Sequence, residues 1–257
     1  MALVKATLMA FAVTTILLAV ATSKEVGQRE IPDFLHICKM NVESRKFHQC
    51  VAQSIMKLAP YLKTGVPEYN IPSLEPLILK RLIFAPSNAL RLQAKDILVY
   101  DASNFNISKL KIDLDNSYIH VDVSLPNIRI EGQYDISGKI VLLPLRGSGH
   151  FHGNVSDCTG SCRILIEKYS SSSGVEYMRI KEFKMKITVG DGMLILENLF
   201  GGDQALGDVV NSAINNNFSL FLKEILPPLE KALSDAFQIT SNHIVEHFSF
   251  AQLFPNT

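Results

Sequence analysis

The residue groups that could do chemistry are few, and each is short of a partner. His243-Ile-Val-Glu246-His247 has the H-x-x-E-H order of the inverted zinc proteases. On a helix His243 and His247 would share a face and could meet a metal ion, but a third ligand is needed further on and the chain ends ten residues later. His150 and His152 lie two apart and would point the same way from a strand; zinc would again need a third group, and His120 is conceivable without anything in its spacing to support it. Asp113 and Asp115 share one strand face and read as solvent-facing charges, not as an acid/base couple. No Gly-x-Ser-x-Gly elbow occurs, and Gly147-Ser148-Gly149 reads as a turn instead of a phosphate loop. These patterns point away from an enzyme and from a metal centre.

The four cysteines carry the remaining chemistry. The chain opens with Lys5 and then the apolar run Ala6–Ala21, followed by Ser23 and the charged pair Lys24 and Glu25. That is the layout of a cleaved signal peptide over residues 1–23, with a mature, soluble, secreted chain of residues 24–257. In an oxidising compartment an even cysteine number suggests disulfides. Four cysteines allow three pairings, and the local spacing favours Cys38–Cys50 and Cys158–Cys162, the second across a three-residue hairpin turn, Thr159-Gly160-Ser161. Three sequons, at Asn106, Asn154 and Asn217, agree with export; the first two lie in polar stretches, the third within a helical pattern.

Composition narrows the partners. Lys plus Arg and Asp plus Glu both number 25, so no basic excess is available for a nucleic-acid backbone or a polybasic membrane anchor. With 47% hydrophobic residues the chain is globular, and it carries no internal boundary that would divide it.

The elements follow from periodicity. Phe47, Val51, Ile55, Leu58 and Leu62 predict a helix, stopped by Gly65 and Pro67. From about Leu77 to Leu199 short alternating segments follow one another, punctuated near 85–88, at Gly138, at 147–149, at 170–174 and at 190–192, which predicts an antiparallel meander. In Tyr118–Gly138 the dry positions Ile119, Val121, Val123 and Leu125 give way after Pro126 to Ile128, Ile130 and Tyr134. Beyond Asp203, a suitable N-cap, a stripe from Leu206 through Phe218, Phe221 and Phe237 to Ile244 predicts a long helix with a kink, or two abutting helices, at Pro227-Pro228. One helix covers a many-stranded sheet only if that sheet curls around it. An elongated apolar space can then remain between them, unless side chains fill it.

The chain resembles the insect takeout and haemolymph juvenile hormone binding protein family. The resemblance rests on Cys38 and Cys50, "IPSLEPL" at 71–77, "GKIVLLPLRGSG" at 138–149, "LFGGDQALGDVVNSAINNNF" at 199–218 and the closing "LFP" at 253–255. Gly201 and Phe218 depart from the common family residues, and Cys158 and Cys162 form a pair that many takeout-like chains lack. The resemblance implies an α+β fold in which a strongly curved antiparallel sheet wraps a long C-terminal helix around an internal hydrophobic tunnel. It also implies a carrier, linked in part of the family to circadian rhythm, for an elongated apolar molecule: a juvenile hormone-like terpenoid, a fatty-acid-like lipid or an odorant-type compound. No cofactor, nucleic acid or stable membrane anchor is implied; the expected state is a monomer in haemolymph or another extracellular fluid, and the sequence names no protein receptor. Tunnel-lining candidates are Val121, Val123, Ile130, Tyr134, Phe151, Phe183, Met185, Phe218, Phe221 and Phe237. The competing reading is a secreted interaction glycoprotein with a filled core, acting through its surface. N-terminal sequencing of protein secreted from insect cells should begin at or within a few residues of Lys24; an intact Met1 terminus on exported protein would contradict the cleaved leader.

Overall fold

The computed structural model of the chain describes residues 29–40, 44–87, 90–140 and 143–256, so the expected signal peptide lies outside the described residues. Seven strands form one antiparallel sheet: β1 (Leu77–Ser87), β2 (Leu90–Tyr100), β3 (Asn106–Asp113), β4 (Tyr118–Ile140), β5 (Leu143–Ser170), β6 (Glu176–Thr188) and β7 (Asp191–Leu196). Its spine is the β4/β5 pair, in register from Tyr118 opposite Leu165 to Ile140 opposite Leu143. β2 and then β1 extend the upper half of β4, and β3 its lower half. On the other side β7 pairs with the upper half of β5 and β6 with the lower half.

The spine bends sharply at one level. The pair Leu125/Cys158 is followed by Asn127/Ser156, Asp157 takes a φ of 51°, and the neighbouring edge is interrupted between Thr188 and Asp191. Each strand here inserts one residue into its alternation, as a bulge does. The inward set therefore changes phase on both strands, from Ile119, Val121, Val123 and Leu125 to Ile128, Ile130 and Tyr134 on β4, and from Cys158 and Cys162 to Phe151 and Leu145 on β5. The residue-by-residue strand reading is corrected here. Gly147–Gly149 is not a turn but part of β5, where Cβ atoms would strike the backbone of Glu197–Leu199.

Two helices lie at the N-terminal end, α1 (Ser44–Lys57) and α2 (Ala59–Thr64), divided at Leu58 just ahead of Pro60. The expected long helix is two: α3 (Gln204–Asn216) and α4 (Phe218–Val245), with α5 (Phe250–Leu253) closing the chain. The break falls at Asn217, and α4 continues through Pro227 and Pro228. The prolines remove the hydrogen bonds that would reach Lys223 and Glu224, and both of these residues are exposed, so water can satisfy their carbonyls. Asp203 caps α3 as expected, accepting from Leu206 N at 3.0 Å.

What fastens helices to sheet is a set of side chains that act as substitute strands. Asn211 accepts from Leu196 N (2.9 Å) and donates to Leu196 O (3.0 Å), and Asn215 does the same at Leu194. On α4, Asn242 brackets Ile180 in both directions, Gln238 donates to Lys181 O, Ser234 accepts from Met185 N and Glu230 accepts from Ile187 N. The free edges of β7 and β6 are thereby satisfied where a further strand would otherwise be invited. On the opposite edge His48 Nε2 stands 2.9 and 3.1 Å from Ile112 O and N. Because α4 also touches β1, both flanks of the upper sheet meet the same helix, and the sheet is a half-barrel closed by it.

Asn211→Ala leaves both polar groups of Leu196 without their partner under α3. We expect a loss of ~1–3 kcal/mol in denaturant unfolding, whereas Asn216→Ala, at an exposed position, should stay within about 0.5 kcal/mol.

Candidate ligand-binding site

Across the lower half of the concave face the register builds three rows. They are Ile112–Ile119–Ile164–Phe183, Leu110–Val121–Cys162–Met185 and Val123–Gly160–Ile187. Facing them is one side of α4. Its polar stripe, Glu230, Ser234, Gln238 and Asn242 at every fourth residue, is held to β6. The adjacent stripe of Ile225, Leu229, Leu233 and Phe237 turns to the interior, where Phe237 stacks on Phe183 at 5.8 Å between ring centroids.

Packing is uneven along this interior. The upper end is a dense cluster of Leu92, Tyr134, Ile136, Leu145, Phe151, Leu196, Leu199, Ile214 and Phe221, joined by Ile130, Phe218, Ile225 and Leu229. The Tyr134 hydroxyl donates to Glu197 O at 2.6 Å; burial, aided by the Glu197 charge, pushes its pKa up to about 12. The lower end is sealed by the segment around Cys38 and Met40, by α1 and by the C-terminal segment. Ile166, Met178, Ile180 and Phe250 form one cluster, Cys38, Phe47 and Ile112 another, and Met40 and Phe254 belong to the packing of both. Met40 N donates to Pro255 O, and the disulfide Cys38–Cys50 ties the N-terminal segment to α1. Between these ends Val121, Val123, Leu125, Met185, Ile187, Leu233 and Phe237 point inward yet remain only half-buried. Glu230, just 7% exposed, seals the side of this stretch by pairing with Lys186 Nζ at 2.7 Å as well as with β6.

The ten candidate residues thus separate into two groups. Ile130, Tyr134, Phe151, Phe218 and Phe221 belong to the dense upper cluster; Val121, Val123, Phe183, Met185 and Phe237 line the middle and lower interior. Leu110, Leu125, Ile187 and Leu233 join the second group; the alternation before Pro126 already puts Leu125 on the dry face, but none of the four stands among the lining candidates read from the sequence. A separate groove of about 640 Å³ opens at the upper end, lined by Asp135, Ser137, Arg146, Ser148, Asn198 and Phe200 among others. Its charged rim does not match an apolar ligand.

The second disulfide is corrected. Cys158 and Cys162 stand on the single strand β5, and both thiols are free and buried. Four residues of extended chain separate their Cα atoms by ~13 Å, roughly twice what a disulfide spans. The metal-like patterns are dispersed. His243 is exposed, while both ring nitrogens of His247 are buried without a partner. His120 pairs with Asp122 on the outer face, and His152 with Glu197 far along the strand. Asp113 caps a turn at Asn116. Among the described residues the converging group His36, Cys38 and Cys50 has both sulfurs in the disulfide. All three sequon asparagines are exposed, but Asn154 is in mid-strand and Asn217 joins α3 to α4, its amide capping Ala213 O.

A curled antiparallel half-barrel closed by one helix over an apolar interior is the takeout-like fold. The family model for haemolymph juvenile hormone binding protein matches residues 14–255, and the chain belongs to that family of carriers for hydrophobic molecules, which are not enzymes. It is 23% identical over 242 residues to the circadian clock-controlled protein daywake of Drosophila melanogaster, covering 87% of this chain and 88% of that one. It is 22% identical over 216 residues to a putative beta-carotene-binding protein of Schistocerca gregaria, covering 84% and 86%. The fold matches the crystal structure of Epiphyas postvittana Takeout 1 with a TM-score of 0.75 at 20% identity, over 85% of this chain and 99% of that one.

Phe221→Ala, in the dense cluster, should cost ~3–5 kcal/mol by leaving a cavity. Phe237→Ala, beside the half-open interior, should cost clearly less in the same denaturant titration; equal losses would show that both sites are packed alike.

Proposed function

We propose that the protein is a secreted carrier that holds one elongated apolar molecule, non-covalently and unchanged, in the interior between sheet and α4. The observation that carries this reading is the inward apolar stretch left half-buried between two sealed ends. Protein interiors are normally filled to crystal density, so inward apolar side chains left half-buried are surface that a guest would cover. The ligand class is terpenoid, fatty-acid-like or odorant-like, and the relative named as a putative beta-carotene-binding protein extends it to long isoprenoids. Secretion is supported by the family's haemolymph name and by the disulfide Cys38–Cys50. Asn106 and Asn154 are the favoured glycan sites, being exposed with amides that make no hydrogen bond in the fold. The second reading, a surface-acting glycoprotein with a filled core, draws on the dense packing around Tyr134 and Phe221 at the upper end.

Burial of a ligand at ~25 cal/mol per Å² supports micromolar affinity after ordering costs. Delipidated protein titrated with an environment-sensitive lipid probe should saturate at one site per chain and release the probe to terpenoids or fatty acids. Absence of saturable binding by every class would leave the surface-acting reading.

A further inference from the structure

The groove at the upper end lies outside the apolar interior, on the opposite face of the sheet. Tyr134, Ile136 and Leu145 point inward and are buried, so Asp135 and Ser137 on β4 and Arg146 and Ser148 on β5 point outward. The ladder sets Asp135 opposite Ser148 and Ser137 opposite Arg146. All four line the groove, whose volume of about 640 Å³ suits a small molecule. Asp135 and Arg146 are therefore diagonal neighbours, ~7–8 Å apart at their Cα atoms. Each is exposed, and among the described residues neither side chain makes a hydrogen bond or an ion pair.

The far wall is held in a disfavoured backbone. Asn198 and Phe200 take φ of 57° and 52°, followed by Gly201 at 72° and Gly202 at 91°. A left-handed φ is uncommon for a side chain as bulky as phenylalanine. Here it is enforced: Phe200 N donates to Arg146 O (2.8 Å), Gly202 N donates to Leu199 O (3.0 Å), and Leu199, 2% exposed, is the inward anchor. Asn198 Nδ2 donates to Ser148 O at 2.8 Å and closes the wall against β5. Phe200, half-buried, thereby lines the groove beside Arg146. Strain of this kind persists only where the surroundings over-determine it, and it concentrates at ligand clamps.

The charges decide the class of guest. A simple anion is drawn to Arg146 and repelled by Asp135; a simple cation meets the reverse. A molecule carrying both signs a few ångströms apart satisfies both. Arg91, exposed on β2, stands opposite Ser137, so the anionic end has a second guanidinium in the same row. A phosphate, with more charge and more oxygens than a carboxylate, uses two such forks better. Asp135 offers acceptors only, which calls for an ammonium with N–H donors.

We propose that this groove is a second binding site, for a small phosphorylated zwitterion of the phosphoethanolamine type. Arg146, Arg91 and the Ser137 hydroxyl take the phosphate, Asp135 takes the ammonium, and the Phe200 ring walls the Arg146 end. The site is independent of whatever the interior holds. The same chemistry occurs in a free molecule and in a phospholipid headgroup.

The test titrates purified, delipidated full-length protein with phosphoethanolamine, inorganic phosphate and ethanolamine by calorimetry. Phosphoethanolamine should bind at one site roughly tenfold or more tighter than either fragment, the scale of one charge-assisted hydrogen bond. Arg146→Gln should weaken it by a similar factor. Asp135→Asn should abolish the preference over inorganic phosphate, by weakening the zwitterion and strengthening phosphate. Both positions are exposed, so circular dichroism should show an unchanged fold. Co-sedimentation with mixed phosphatidylcholine–phosphatidylethanolamine vesicles separates the sources. Retention that Arg146→Gln releases assigns a lipid headgroup; binding of the free zwitterion without retention assigns a soluble molecule. Equal affinity for phosphoethanolamine and inorganic phosphate overturns the zwitterion. Binding indifferent to both substitutions overturns the location, and absence of both binding and retention overturns the site while leaving the carrier reading untouched.

Discussion

A curled sheet that does not close on itself must do something with its edges, and here side-chain amides do it. Asn211, Asn215 and Asn242 each present one donor and one acceptor, the same pair that a strand residue offers, and each engages both groups of a single edge residue. A water-covered edge would leave those groups satisfied but free to pair with another chain. With helices laid along the edge, the half-barrel keeps an apolar interior without needing the remaining strands of a barrel. The same contacts set the rotation of α4: because Glu230, Ser234, Gln238 and Asn242 must face β6, the flank carrying Leu229, Leu233 and Phe237 can only face inward. The chemistry of the rim thus aims the apolar wall.

The buried side chains of the interior are concentrated at its two ends. Above, Tyr134, Phe151 and Phe221 are buried in one cluster; below, α1 and the C-terminal segment meet through Phe47 and Phe254, whose rings lie 6.3 Å apart. A carrier of small apolar molecules gains by this division. The dense regions supply folding free energy, and the middle is released from that task. The coordinated crank at Pro126 and Asp157 falls between them, so the bend of the sheet and the change from buried to half-buried inward side chains occur at the same level.

The strands, their antiparallel order and the amphipathic helix were legible in the sequence because period-two and helical stripes survive in single segments, as in Ile119–Leu125 and Leu206–Ile244. Where legibility failed, a local signal was overridden by a distant one. Thr159-Gly160-Ser161 between two cysteines looks like a hairpin tip, yet it is strand, because Val123 and Ile187 offer ladders on both sides. Gly147–Gly149 looks like a turn, yet its small residues admit the Glu197–Leu199 backbone. Pro227-Pro228 looks like a break, yet the orphaned carbonyls face water. Which inward side chains are packed and which stay half-buried was not legible at all, since alternation reports a face and carries no information about what stands opposite. The tie between Asn242 and Ile180 was equally hidden, for an asparagine on a helix carries no mark of the strand it will bracket.

The order in which the amide latches are synthesised has a consequence for the nascent chain. Ile180 leaves the ribosome 62 positions ahead of the asparagine that will cover it. At ~5–20 residues per second the β6 edge is bare for roughly 3–12 s, long enough for non-native strand pairing. Lys181, Lys184 and Lys186, exposed along that same edge strand, place repelling charge on it during the interval. Charge so placed disfavours edge-to-edge pairing of the unfinished sheet, and its value would register in the yield of folded protein more than in the stability of the finished molecule.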